Sequence, residues 1–164
     1  IMKKLLLGAM LVMFSSSTFA QSEQEKINRD VWYNFMQAYQ DLNASLFNYI
    51  HTDDVLRIPI DQNQILVGRE YKDSNLNMFN LWNEHKIKQR IQFSFTNRIQ
   101  KGDWAYETGI YRLTRYAGFK SEHLYGKFSV TLKRVDGTWK IYMDVDTSED
   151  ATVNEDDFLK AKIL

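Results

Sequence analysis

Residues 124–146 read LYGKFSVTLKRVDGTWKIYMDVD. Leu124, Gly126, Phe128, Val130 and Leu132 alternate with Tyr125, Lys127, Ser129, Thr131 and Lys133. Trp139, Ile141, Met143 and Val145 alternate in the same way with Lys140, Tyr142, Asp144 and Asp146. A period of two puts the first set of each run on one face of a strand and the second set on the other. Asp136-Gly137 between the runs is the residue pair that a tight hairpin turn favours. The stretch predicts two antiparallel strands with one oily and one polar face.

The same pattern continues upstream. Ile91, Phe93 and Phe95 alternate with Arg90, Gln92, Ser94, Thr96 and Arg98, and Lys101-Gly102-Asp103 makes a turn into a strand from Trp104 to Arg115. Gly109 inside that strand marks a bulge or a close approach, and Gly118 the next turn. Four successive antiparallel strands thus share one apolar face, which another element must cover. Residues 22–50 offer the cover as one long helix. Ile27, Val31, Trp32, Phe35, Met36, Tyr39, Leu42, Leu46, Phe47 and Ile50 form a stripe at spacings of three and four. Ser22 and Glu25 have capping-box spacing.

His51-Thr52-Asp53-Asp54 ends the helix in a turn, where the helix C-terminus favours a charged His51. Val55 to Ile60 predicts a strand with Pro59 at an edge, Ile65 to Val67 a second short strand, and Arg69 to His85 a second helix. The fold class expected is α+β: a cone-shaped, curved antiparallel sheet packed on a long N-terminal helix and a second helix. Residues 21–148 form this domain. Residues 149–164 are an acidic tail, in which Asn154 and Asp157 have the spacing to cap a short helix; a frayed tail is the other reading.

The first 20 residues stand apart. Lys3 and Lys4 precede the apolar run Leu5 to Phe14, followed by small residues up to Ala20. This is the layout of a cleaved signal peptide, and the run is too short to span a bilayer, which takes about 20 residues. The expectation is export, to the periplasm or the extracellular space, with no membrane contact after cleavage. Ile1 before Met2 carries no function in this reading. Removing Lys3 and Lys4 from 21 basic residues leaves 19 against 21 acidic, a net charge of −2. A near-neutral chain without a basic run argues against nucleic acid and anionic lipid as partners. The chain has no cysteine, which excludes disulfides, thiolate metal sites and cysteine nucleophiles. Its 14% aromatic content can supply the core instead.

The order helix, short strand pair, helix, four long strands resembles the nuclear transport factor 2-like superfamily. Three segments carry the resemblance. Asp54-Val55-Leu56-Arg57-Ile58-Pro59 with Gly68-Arg69-Glu70-Tyr71 is similar to its first strand, hairpin glycine and second helix. Tyr106-Glu107-Thr108-Gly109-Ile110-Tyr111 is similar to its middle strand. Asp136-Gly137-Thr138-Trp139-Lys140-Ile141 with Asp144 resembles the ending of its SnoaL-like and uncharacterised members. The resemblance covers roughly residues 22–148 and implies a conical domain, often a homodimer through the outer face of the sheet. It implies no single activity, because the superfamily holds isomerases, cyclases, dehydratases, epoxide hydrolases and binding modules. Its ketosteroid isomerases place a carboxylate base just before a proline of the first strand. Ile58 stands there in this chain and cannot take a proton.

Chemistry elsewhere is sparse. Asp144 and Glu107 are the candidate acids, and each has a structural alternative in an ion pair. Asp144 and Asp146 share a strand face about 6.8 Å apart by strand rise. Such a pair can hold a hard cation or serve as acid and base, or be salt-bridged. His51, His85 and His123 lack metal-ligand spacing, so no metal and no cofactor is expected. Trp32, Phe35, Tyr39, Ile58, Phe93, Phe95, Tyr111, Phe128 and Met143 are the candidate walls of a ligand pocket inside the cone. Arg57 is expected to turn away from the helix, onto a polar network with Glu107, Lys127, Asp144 and Asp146; the alternative places it at the cone mouth, facing a carboxylate ligand. Three functions fit: an exported, non-catalytic module enclosing a small, mostly apolar molecule; an enzyme of the same fold; or a dimeric interaction domain with a filled core.

Overall fold

The computed structural model of the protein describes residues 23–164. The signal segment 1–20 and the Ser22 cap lie outside the described residues. Helical backbone runs from Glu23 through a π-turn at Asn28–Trp32 into α1 (Tyr33–Asp41). The single helix expected over 22–50 is broken. Leu42 takes a left-handed φ of 51°, and Asn43 opens α2 (Ala44–Tyr49) by accepting the Leu46 N–H at 3.0 Å. Asparagine is among the strongest N-caps, and its cap offsets the left-handed residue before it. The turn swings Phe47 and Ile50 into the core, where both are buried.

The chain continues as β1 (His51–Pro59), β2 (Leu66–Val67), α3 (Gly68–Glu84), β3 (Lys88–Lys101), β4 (Trp104–Ala117), β5 (Lys120–Val135) and β6 (Thr138–Thr147). It ends with α4 (Glu155–Lys160) and β7 (Lys162–Ile163). One seven-stranded sheet results, in the order β2-β1-β6-β5-β4-β3-β7. The expected meander is β3 to β6, antiparallel throughout. Asp136 (φ 49°) and Gly137 (φ 81°) both take the positive φ that their hairpin needs. One pairing was not foreseen: β1 lies parallel to β6. The long stretch of chain between them permits a parallel neighbour where a hairpin cannot.

Helix α1 covers one face of the sheet. Trp32 packs there against Phe93 and Phe128, and Phe35 against Phe93, at ring-centroid separations of 4.7 to 5.3 Å. The tail covers part of the opposite face. Asn154 accepts from the backbone of Asp156 and Asp157 while Asp157 accepts from Asn154, so α4 starts with a capping box. Phe158 and Val153 bury against Ile110 and Tyr125. Residues Lys162 and Ile163 then extend the sheet along Ser94 and Phe95.

Two irregularities decide what faces the helices. Opposite Gly109 and Thr108, β3 carries one extra residue, Thr96. Opposite Thr131 and Leu132, β6 carries one extra residue, Tyr142. One inserted residue reverses which side chains look inward beyond it. Gly109 is the close approach that its sequence position suggests: a Cβ there would overlap the Ser94 carbonyl oxygen. Among the described residues, no helix is long and apolar enough to cross a membrane.

Candidate functional site

Beyond the Tyr142 bulge, Asp144 and Asp146 point into the cone. The alternation up to Ile141 would have placed Met143 and Val145 there. On the neighbouring strand Arg57 pairs in register with Asp144. Its guanidinium Nη2 donates to Asp146 Oδ1 at 2.7 Å, and Nη1 lies 3.5 Å from Asp144 Oδ1. These three side chains form one wall of a cavity of about 120 Å³ between α1 and the sheet.

The rest of the lining is largely aromatic. Trp32, Phe35 and Tyr39 come from the first helical segment, Phe47 from α2, Tyr71 from α3, and Phe93, Tyr111 and Phe128 from the sheet. Ile91, Leu113 and Val130 complete it. Gly126 makes room for one of these rings. It sits opposite Tyr111, and a Cβ there would come within 2.5 Å of the Tyr111 hydroxyl.

Burial governs the protonation of this site. It holds the Asp146 carboxyl above its ordinary range, against the pull of Arg57. Burial opposes the Arg57 cation as well, but the Asp144 and Asp146 carboxylates outweigh it and keep Arg57 charged. Burial pushes the Tyr111 hydroxyl up to about 12 and raises Tyr39 and Tyr71 above their ordinary values, so all three are neutral near pH 7. The site therefore combines one fixed cation, two carboxylates and neutral phenols in an aromatic shell.

Several expectations need correction. Ile58 and Met143 do not line the cavity. Strand alternation around Arg57 puts Leu56 and Ile58 on the opposite face, and the Tyr142 bulge puts Met143 there too. Phe95 is buried but lies behind Trp32, 5.0 Å from its ring, and does not reach the cavity. Trp32, Phe35, Tyr39, Phe93, Tyr111 and Phe128 are brought together as wall residues.

The single polar network expected around Arg57 divides into three. Arg57, Asp144 and Asp146 are inside. Lys127 is outside, paired with Glu149 at 2.7 Å. Glu107 is wholly buried at a different place. It accepts from Trp32 Nε1 at 2.5 Å, from Gln24 Nε2 at 2.7 Å, and from Arg98 Nε and Nη2 at 3.0 and 3.1 Å. Four donors saturate this carboxylate and leave it no proton to fetch from a ligand; it ties the first helix to the sheet. Arg98 faces inward because Thr96 shifts the alternation of β3.

His51 is not a surface histidinium. It is fully buried between Phe47 and Tyr71, with Nδ1 2.7 Å from the Phe47 carbonyl oxygen. Burial lowers its pKa to about 3 and keeps the ring neutral. Among the described residues, no group of three or more His, Cys, Asp or Glu side chains is placed to hold a metal ion.

The inward aim of Arg57, Asp144 and Asp146 had no signal in the alternation, which places charges outward by default. The observed burial of Val55 fixes the count: two residues on from it is Arg57.

No family model and no curated protein matches the chain in sequence. Solved structures do match in shape. A protein of unknown function from Mycobacterium tuberculosis superposes with a TM-score of 0.64 at 14% identity, over 85% of this chain and 81% of that one. An NTF2-like protein of unknown function from Shewanella oneidensis gives 0.61 at 12% identity, over 76% of this chain and 98% of that one. An NTF2-like protein with a cystatin-like fold from Novosphingobium aromaticivorans gives 0.64 at 10% identity, over 83% and 88%. With the curved sheet, the covering helices and the interior cavity, these likenesses identify the fold: the chain has the α+β cone of the nuclear transport factor 2-like superfamily.

Proposed function

We propose that the protein is an exported binding module that encloses a small, mostly apolar molecule in its cone without transforming it. The observation that carries this reading is the cavity itself. Eight aromatic side chains and one polar wall converge on about 120 Å³ of space. A buried apolar cavity of about 150 Å³ is enough to take up benzene, so the ligand is small. Apolar walls with a few fixed polar groups are the usual composition of a binding pocket.

The chemistry of the interior favours holding over turnover. Arg57 ties up one oxygen of Asp146, and Glu107 is saturated away from the cavity. Ile58 stands on the opposite face, where it can neither abstract nor donate a proton. A second reading, acid–base catalysis by the cavity carboxylates, draws on the raised Asp146 carboxyl. Export rests on the signal-like segment 1–20. Pairing with a second copy would use the part of the outer sheet face that the tail leaves open, where Trp104 and Tyr106 are exposed and Trp104 meets Tyr142 edge-on.

Native mass spectrometry of the mature protein tests the proposal. The expected result is a small bound molecule, recovered chemically unchanged, whose adduct disappears when Phe128→Trp fills the cavity. Absence of any adduct, together with no shift of cavity resonances on adding small apolar molecules, would overturn it. The same spectra report dimer mass.

A further inference from the structure

Taking the cavity as a ligand site, we infer that its ligand class is the small organic cation: an alkylamine in its ammonium form, with the charged nitrogen on Asp144 and the alkyl part among the aromatic rings. The inference follows from which hydrogen-bonding capacity is already used. Among the described residues, Arg57 is the only cation on the wall, and both its terminal nitrogens face the two carboxylates. Nη2 donates to Asp146 Oδ1, and Nη1 points at the Asp144 carbonyl and carboxylate, both at 3.5 Å.

The carboxylates keep acceptor capacity. Asp144 is held loosely at 3.5 Å, and the second oxygen of Asp146 has no donor from Arg57. A ligand that donates hydrogen bonds can use these oxygens. Its charge is constrained as well. One guanidinium against two carboxylates leaves the wall one negative charge in excess, in surroundings that screen poorly. A carboxylate ligand would compete with Asp144 and Asp146 for Arg57 and would meet two like charges. An ammonium group would neutralise the excess, and it would relieve the cost of ionising Asp146, which burial holds above its ordinary range.

The remaining lining suits a cation too. Trp32, Tyr39 and Tyr111 lie around the same space, and ring faces attract a desolvated ammonium. The burial of Tyr39 and Tyr111 keeps them neutral, so they add no competing charge. The cavity volume restricts the alkyl part to about four or five carbons, by comparison with a benzene-sized site.

The experiment compares three probes of one shape, n-butylammonium, 1-butanol and butyrate, by NMR titration of the protein near pH 7. The expected order is butylammonium about tenfold tighter than butanol, with butyrate the weakest. Asp144→Asn is expected to weaken butylammonium about tenfold and to abolish its preference over butanol. Butyrate binding as well as butylammonium, or an ammonium preference that survives in Asp144→Asn, overturns the inference. Should the variant not fold, the three-probe order in the unaltered protein still decides. Butanol bound without any ammonium preference refutes the cation and leaves the cavity reading standing. No response to any of the three refutes both.

Discussion

Two ion clusters between the helices and the sheet each join an arginine to buried carboxylate, and they differ in how far they are satisfied. At one, Arg98 and Glu107 lie beneath Phe95, and a single carboxylate receives four donors. At the other, Arg57 faces Asp144 and Asp146, and two carboxylates share one guanidinium beside open space. Trp32 stands between them: its N–H closes the first cluster and its ring lines the second. A saturated buried carboxylate is a fastener, because any change leaves a charge without compensation. An undersaturated one beside a cavity keeps acceptor capacity that a second molecule could take up.

This contrast can be broken or sharpened by mutation. The largest effect is expected at the closed cluster. Glu107→Gln removes the charge that Arg98 and Trp32 share, and stability should fall by about 3–5 kcal/mol in denaturant unfolding. A loss below about 1 kcal/mol would remove the distinction between the clusters. An intermediate effect is expected at Gly126→Ala. Its new methyl would collide with the Tyr111 ring, costing about 1–3 kcal/mol as overpacking does, and NMR should show the Tyr111 ring displaced within the cavity. An unmoved Tyr111 ring with full stability would show that the site has slack where a Cβ is placed at 2.5 Å. The smallest effect is expected at Asp144→Asn. Arg57 keeps Asp146, the surplus charge is relieved, and stability should change by less than about 1 kcal/mol in either direction. A collapse comparable to that of Glu107→Gln would make the second cluster a fastener too.

Much of the architecture was readable in the residues. The alternation from Ile91 to Val145 and the Asp136-Gly137 turn specify the meander, because a period of two and a pair of left-handed residues have few other uses. The stripe from Ile27 to Ile50 marks the covering face. It does not reveal the break at Leu42, because a left-handed leucine leaves the spacing of apolar residues nearly intact; Asn43 was the cap that signalled it. The wall aromatics were legible for the same reason as the core: they had to lie between helix and sheet. The polar wall was not. Its aim depends on one extra residue at Tyr142, and nothing in an alternating run says where the count slips, since Met143 and Val145 continue the apolar rhythm on the wrong side. The parallel pairing of β1 with β6 was equally silent, being a relation between segments more than 80 residues apart.

The bulge at Tyr142 has a bearing on how such a protein could change its trade. Downstream of it, the last strand presents two acids to the interior and Met143 and Val145 to the exterior. Were Tyr142 instead taken into a regular ladder, the strand downstream would slip by one residue and that arrangement would invert without altering any amino acid. The cone would gain a thioether and an isopropyl group, and Arg57 would be left stranded in a greasy hollow. The interior of this fold is in that sense written in a frame, so that a lineage can exchange a charge-bearing lumen for a fully oily one by a one-residue slip, and reverse it by another.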